Sequence, residues 1–481
     1  VSILRNSTPE FESDGIAGRV TADLRDVPAI GDPFRLDLLG SVGGVDSFDA
    51  EHRRVSLGLG VRPAERFGAN LFFDAQRNPL KKDKVKRKFK ADGSLKELEI
   101  EDEEKPTESY NLLADLVFFY ESGEIHLKPT FFYLDEDKDK EKTKIKDNGD
   151  VELELEDEEK IQDTHGVALE HEHRFGNGWK LWSQVDYFST GERKSKNKLK
   201  FKNGTFDKRE VEDEDKEDEF WQGRAKVTVP VELLLPQTLK AGVHVRLRDR
   251  FRSKEKIELK PGDPPKDKTG PKDNYDLEET YVAFFIQDEF RVGERLSVLP
   301  GVRVENVELD SRSGDGTERT ETFLDINPSL HARYALSDQW SIQGAVSRKV
   351  NRPKFDEIAP FTEEKGDRFV EGNPNLDPAR SWGVDIGTTY ETEDLLFGIN
   401  FFHKKVRGVI EESDTGVDRG GKDVFRVDNV GDGWTRGLEL EQRVHLGMFD
   451  QRLTGLEIWA NESLFDSELE DQAGRVRQFN E

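Results

Sequence analysis

Apolar residues fall on every second position in stretches about ten residues long, the length a tilted strand needs to cross a bilayer. From Val55, the odd positions Val55, Leu57, Leu59 and Val61 are apolar, and the even ones are Ser56, Gly58 and Gly60. Phe34, Leu36 and Leu38 alternate with Arg35 and Asp37. Leu112, Ala114, Leu116, Phe118 and Tyr120 alternate with a set that contains Asp115. Leu239, Ala241, Val243, Val245 and Leu247 alternate with Lys240, Gly242, His244, Arg246 and Arg248. Leu395, Phe397, Ile399 and Phe401 alternate with Gly398 and Asn400, and Leu438 and Leu440 with Gly437, Glu439 and Glu441. Such a period places each set on one face of a strand.

The connections alternate too. Short ones include RPAER after Val61, ESGE at Glu121, FGNG at Phe175, VGER at Val292, LSDQ at Leu336 and TED at Thr392. Between them run connections of roughly 10 to 30 residues, beyond ordinary loop lengths. Roughly seventeen strands joined short, long, short, long make an all-β chain, a transmembrane antiparallel β-barrel. A soluble sandwich or propeller is the alternative, but it seldom carries so many long charged loops on one side.

Composition excludes other classes. Of 481 residues, 73 are basic and 100 acidic, giving a formal charge of −27. No run of ~18 apolar residues offers a helical span, and no basic-then-apolar leader opens the chain. Cysteine is absent, which removes disulfide scaffolds, cysteine-ligated zinc and thiol nucleophiles. So acidic a chain repels nucleic-acid phosphates. No phosphate loop, nucleophile elbow or paired-histidine zinc motif occurs, so neither an enzyme nor a resident metal or cofactor is expected. His171 and His173 share a strand face near the turn at Phe175, which suits an interfacial belt better than a metal pair.

Three long connections share a layout. Lys88-Phe89-Lys90, Lys144-Ile145-Lys146 and Lys198-Leu199-Lys200 lead to Asp92-Gly93, Asn148-Gly149 and Asn203-Gly204, and then to the acidic arms ELEIEDEE, ELELEDEE and REVEDEDKED. Asp-Gly and Asn-Gly are strong hairpin turns. A basic arm before the turn and an acidic arm after it put opposite charges across the ladder. Spans 88–104, 144–159 and 198–215 therefore read as long extracellular β-hairpins in which barrel strands continue into water, with a mobile charged loop as the alternative.

The ends of these readings meet in a resemblance. Val1 to Val20, with Ile3, Arg5, Asn6, Pro9, Phe11, Gly15, Gly18 and Val20, looks like the end of the plug domain of TonB-dependent outer-membrane receptors. SRKVNRPKFDEIAPF from Ser347, GNPNLDPARSWGVDIGTTYE from Gly372 and NVGDGWTRGLELE from Asn429 resemble that family's barrel motifs. Ser7-Thr8 before Pro9, and Ala379 where the family often has Glu, are departures. The resemblance implies a 22-stranded plugged barrel in the bacterial outer membrane. On that frame, residues 1–27 are the C-terminal remnant of the plug and 28–481 an incomplete barrel, open because about five strands are missing.

It also implies partners: lipid bilayer and lipopolysaccharide around a monomer, a TonB-type periplasmic energy-coupling protein acting through the missing N-terminal segment, and a ferric siderophore or other scarce nutrient as cargo. By parity Arg224, Lys226, Arg246, Arg248, Arg303, His331, Arg333, Asp385 and Glu439 point inward. In such a family they would dock the plug or line a substrate path. The 351–378 connection carries Arg352, Phe355, Phe361, Arg368, Phe369, Asn373 and Asn375, rings and guanidinium groups suited to a bulky, partly anionic ligand. The bland reading of GNPNL and NRP is turn chemistry that shapes the loop. A passive porin-like channel or a surface adhesion barrel is the competing function, and the plug-end sequence speaks against it.

Overall fold

The computed structural model describes residues 2–4, 8–13, 19–21, 26–32, 34–45, 50–90, 93–270, 273–358, 362–365 and 368–479. Nine long strands run from Arg35–Val45 to Pro236–Leu259, four from Tyr275–Val292 to Trp340–Asn351, and four from Ala379–Glu391 to Glu457–Asp471. These seventeen match the number that the alternation predicts. Each pairs antiparallel with its neighbour, for example Leu57 opposite Leu38 and Ile399 opposite Leu440. Among the described residues the family's 22 strands are not reached. Against the expectation of an open ring, the strand order closes on itself, with Val476–Arg477 next to Arg35–Val45. That closure is thin: the segment is two residues long, and Leu464, Phe465, Leu38 and Leu39 stay exposed on both faces beside it.

Side chains sort as the period dictates. Ser56, Asp115 and Asn400 are buried toward the lumen, while Leu116 and Leu247 are 46% and 51% exposed toward lipid. An apolar band bounded by rings follows on the lipid side. Tyr110 meets Tyr133 and Tyr187 meets Trp221 at its upper edge; Tyr120, His171 and His173 stack at the lower one. Ten residues separate Tyr110 from Tyr120, about 25 Å of tilted strand, the height of such a band. Tyr120 Oη lies 2.7 Å from His171 Nε2 and 2.8 Å from His173 Nδ1, so each histidine spends one ring nitrogen on this contact.

Seven consecutive strands, from Phe67–Phe89 to Pro236–Leu259, are 23 to 28 residues long. A bilayer needs only 9–11, so more than half of each strand rises clear of it as ordered ladder. At Asn203-Gly204 both residues take positive φ, 50° and 78°, the turn its sequence demands. At Asn148-Gly149 only Gly149 does, with φ 86°; Asp92 lies outside the described residues.

Charge on these extensions is segregated by face. On the face in phase with the lumen, basic and acidic strands alternate. Lys142 lies between Glu99 and Glu101, Lys140 touches Glu101, and Lys138, Lys196 and Lys198 converge on Glu156. Burial alone would raise the Glu156 carboxyl; the hydrogen bonds from Lys138, Lys198 and Lys196 outweigh it and hold the group well below the usual carboxylate range. Lys254 to Glu212 and Arg252 to Glu214 carry the same pattern across the next ladder.

Candidate functional site

The barrel wall grips a short N-terminal segment inside the lumen. Strand parity aims Arg246, Tyr281, Arg303, Glu305 and Asn327 inward from four neighbouring strands, where they converge on residues 9–13. Arg303 donates to the Pro9 carbonyl at 3.2 Å, and the Ser13 amide donates to Glu305 at 2.9 Å. Asn327 donates to the Ser13 hydroxyl at 2.8 Å. Arg246 pairs with Glu12 at 3.2 Å and Lys226 with Glu10 at 3.0 Å. Gly301 makes room: a Cβ there would lie 2.7 Å from Pro9 Cγ.

Glu305 is the hub. It is completely buried and receives the Arg303 guanidinium, the Tyr281 hydroxyl and the Arg352 guanidinium, each at 2.7 Å. Arg303 is 1% exposed. A buried carboxylate between two guanidiniums is tolerable only because every charge has partners. The arrangement fastens one strip of backbone by amide, carbonyl and side chain at once.

The sequence-predicted lumen set divides. Arg246 and Arg303 hold the segment. Arg224 turns to Asp186 and Gln184, and Arg248 to Asp218. Arg333 and Asp385 line a separate cavity of about 340 Å³ with His331 and Asn400. Glu439 accepts from Asn400 at 3.2 Å. The plug-end motif shows Pro9 buried, and Ser2–Leu4 pairs antiparallel with Arg19–Thr21, setting Ile3 opposite Val20. Arg5, Asn6, Gly15 and Gly18 lie outside the described residues. Tyr281, Glu305, Asn327, Glu10, Glu12 and Ser13 were not singled out by sequence; inward parity was the available signal for the first three.

The outer loop is stitched down rather than displayed. Arg352 points inward to Glu305, away from any ligand outside. Arg368 stacks on Phe425 at 4.7 Å and pairs with Glu412 at 3.0 Å. Phe369 lies under Arg419. Asn373 is 6% exposed; it donates to Asp428 at 2.8 Å and accepts from the Asn375 amide at 3.0 Å. Arg319 reaches Asn375 at 3.4 Å. Arg368–Glu371 pairs parallel with part of Asp423–His445, while Ile358, Val370 and Leu376 pack on Tyr275, Leu277 and Leu309 of the inner wall. Phe355 opens the short helix Phe355–Ile358, and Phe361 lies outside the described residues. The turn-forming reading of GNPNL therefore has geometry behind it.

An antiparallel barrel with a lipid-facing apolar band, whose lumen clamps an N-terminal segment, has the build of an outer-membrane receptor barrel. Residues 106–472 match the model of the family described as TonB dependent receptor-like, beta-barrel, and the chain belongs to the TonB-dependent receptors. Over 162 residues it is 24% identical to the ferric enterobactin receptor PirA of Pseudomonas aeruginosa, a match spanning 31% of this chain and 20% of that protein. Among solved structures it resembles the siderophore receptor PirA from Pseudomonas aeruginosa (TM-score 0.58, 14% identity, 98% of this chain, 74% of that one). It also resembles the ferric citrate transporter FecA (0.61, 13%, 93% and 61%) and the copper transporter OprC (0.62, 13%, 94% and 63%). At such identities the likeness is one of fold.

Proposed function

We propose that this barrel belongs to an energised importer that binds a scarce nutrient at the cell surface, a ferric siderophore by first choice. A TonB-type protein in the periplasm would pull on the plug, loosening it from the wall and opening a path. The observation that carries the reading is the Glu305 clamp: a wall that holds a segment by backbone and side chain suits a plug that must stay shut until it is pulled. A passive porin has no use for such a clamp. The siderophore assignment leans on similarity to ferric-siderophore receptors, and similarity to a copper transporter keeps other cargo in view. The test is uptake of radiolabelled ferric siderophores by cells carrying the full-length protein, with and without the coupling protein. Uptake that persists without coupling would overturn the energised mechanism. Coupled uptake of copper but of no ferric complex would overturn the cargo.

A further inference from the structure

The outward face of the tall extensions repeats the membrane band in miniature. Above the tyrosine girdle comes a belt of carboxylates, and above that the face turns apolar again. Ile100, Ile145, Leu153, Leu155, Phe201 and Val211 share the parity of the lipid-facing Leu116, Leu127, Leu169, Val185 and Trp221. No register shift interrupts the pairing between these two levels. The patch runs across the strands from Leu95–Tyr120 to Lys180–Lys202, and Arg209, opposite Leu199 and bonded to Asn197, separates it from the Val211–Ile257 pair. Leu153 lies opposite Phe201, Leu155 opposite Leu199, and Val211 opposite Ile257. Ile100 and Ile145 are 44% and 37% exposed, well above the girdle and so beyond any acyl chain. Contiguous apolar surface of this kind marks an interface.

The belt beneath it defines the occupant. On the inner face each carboxylate faces a lysine or arginine. On the outer face carboxylates oppose carboxylates: Asp102 opposite Glu141, and Asp139 opposite both Glu104 and Asp157. Asp102, Asp139, Glu141 and Asp157 have no ion-pair partner among the described residues, and like charges so placed repel. Where belt and apolar patch meet, a groove of about 320 Å³ is lined by Leu155 and Leu199 together with Asp102, Asp139, Glu141 and Asp157; Lys140 also borders it but spends its charge on Glu101. That is the shape and chemistry for a lysine or arginine side chain, stem on the leucines and head among the carboxylates. A second copy of the chain would bring its own acidic belt to this face, and charge disfavours it.

We propose that this outer face docks a cationic amphipathic polypeptide, its apolar side chains on the Leu153–Phe201 patch and its basic ones in the acidic groove. The surface is distinct from the lumen, and the proposal does not depend on the cargo. The probe is a fluorescent peptide of alternating leucine and lysine, titrated by anisotropy onto the full-length receptor in lipid nanodiscs. Binding should weaken at least tenfold in D139N/D157N and in L155S, weaken with rising salt, and stay unchanged in K84Q, whose lysine lies opposite Glu101 on the inner face. A leucine–serine peptide should bind at least tenfold more weakly. Equal binding of both peptides, or indifference to the outer-face changes, would overturn the proposal. So would a receptor dimer that L155S dissolves, because the face would then be occupied by a second copy. Unaltered heat-modifiability of the variants on gels shows that each barrel has folded.

Discussion

At the scale of single residues, the clamp makes the sharpest demand. Removing one partner of a buried ion pair leaves the other charged and unsolvated, at a cost of about 3–5 kcal/mol. Glu305→Ala, which strips the carboxylate from two guanidiniums, those of Arg303 and Arg352, should therefore destabilise the lumen by that order, and it should free residues 9–13 to proteases in a full-length receptor whose barrel remains intact. Protection equal to wild type would show that the segment is held by other means. On the lipid side, Val243→Arg sits mid-band and should cost roughly 2–4 kcal/mol in reversible unfolding from lipid. The inward neighbour Gly242 makes a poor control, since a Cβ there meets the Ala225 carbonyl oxygen at 2.5 Å. Asn400, inward and beside Glu439, serves better: Asn400→Ser should cost clearly less than Val243→Arg. Equal losses would argue against lipid exposure of Val243.

At the scale of elements, the tall hairpins depend on ionised carboxylates. Glu154, Glu156 and Glu158 are all depressed: burial opposes their ionisation, but the neighbouring lysines outweigh it. A depressed carboxylate contributes stability above its unfolded value, about 4.5 here, and loses it as pH falls toward the folded value. Hydrogen-exchange protection of 152–158 and 194–200 should hold between neutral pH and about pH 5, then decay below about pH 4.5. Protection that is flat down to pH 2 would mean the ladder stands on backbone pairing alone. These hairpins were legible because Asn203-Gly204 and the arms beside it are local signals. The segregation of charge by face was legible only in part: parity gives it once a strand is known to run unbroken from bilayer to tip, and blocks such as EDEDKEDE read equally well as disorder. The outer loop was harder still. Arg368 and Phe369 look available in sequence, yet Phe425 and Arg419, which occupy them, lie some fifty residues away in the chain. The Arg303–Pro9 and Glu305–Ser13 contacts join residues 294 and 292 positions apart and leave no local mark.

At the scale of the whole molecule, the formal charge of −27 has a location. Along the extensions the inner face is largely paired, so much of the excess lies outward, on the belt above the bilayer and around the mouth. A negative rim repels anionic ligands from afar, and salt above about 0.1 M shortens that reach to about 10 Å. For a ferric siderophore carrying negative charge, uptake should therefore quicken with moderate salt; for a neutral or cationic cargo it should not. The three hairpins separate capture from architecture. Shortening them along the strand register, by excising 81–104, 137–159 and 193–215 and rejoining each pair of strands by an Asn-Gly turn, leaves the membrane band and the Glu305 clamp intact. If the extensions only shield the mouth or dock a surface partner, cargo uptake should match wild type, the salt dependence should flatten, and binding of the leucine–lysine peptide should vanish. Lost uptake with an intact, protease-resistant barrel would instead assign the extensions to cargo capture, with the alternating lysines and glutamates of the inner face as the first surface the cargo meets.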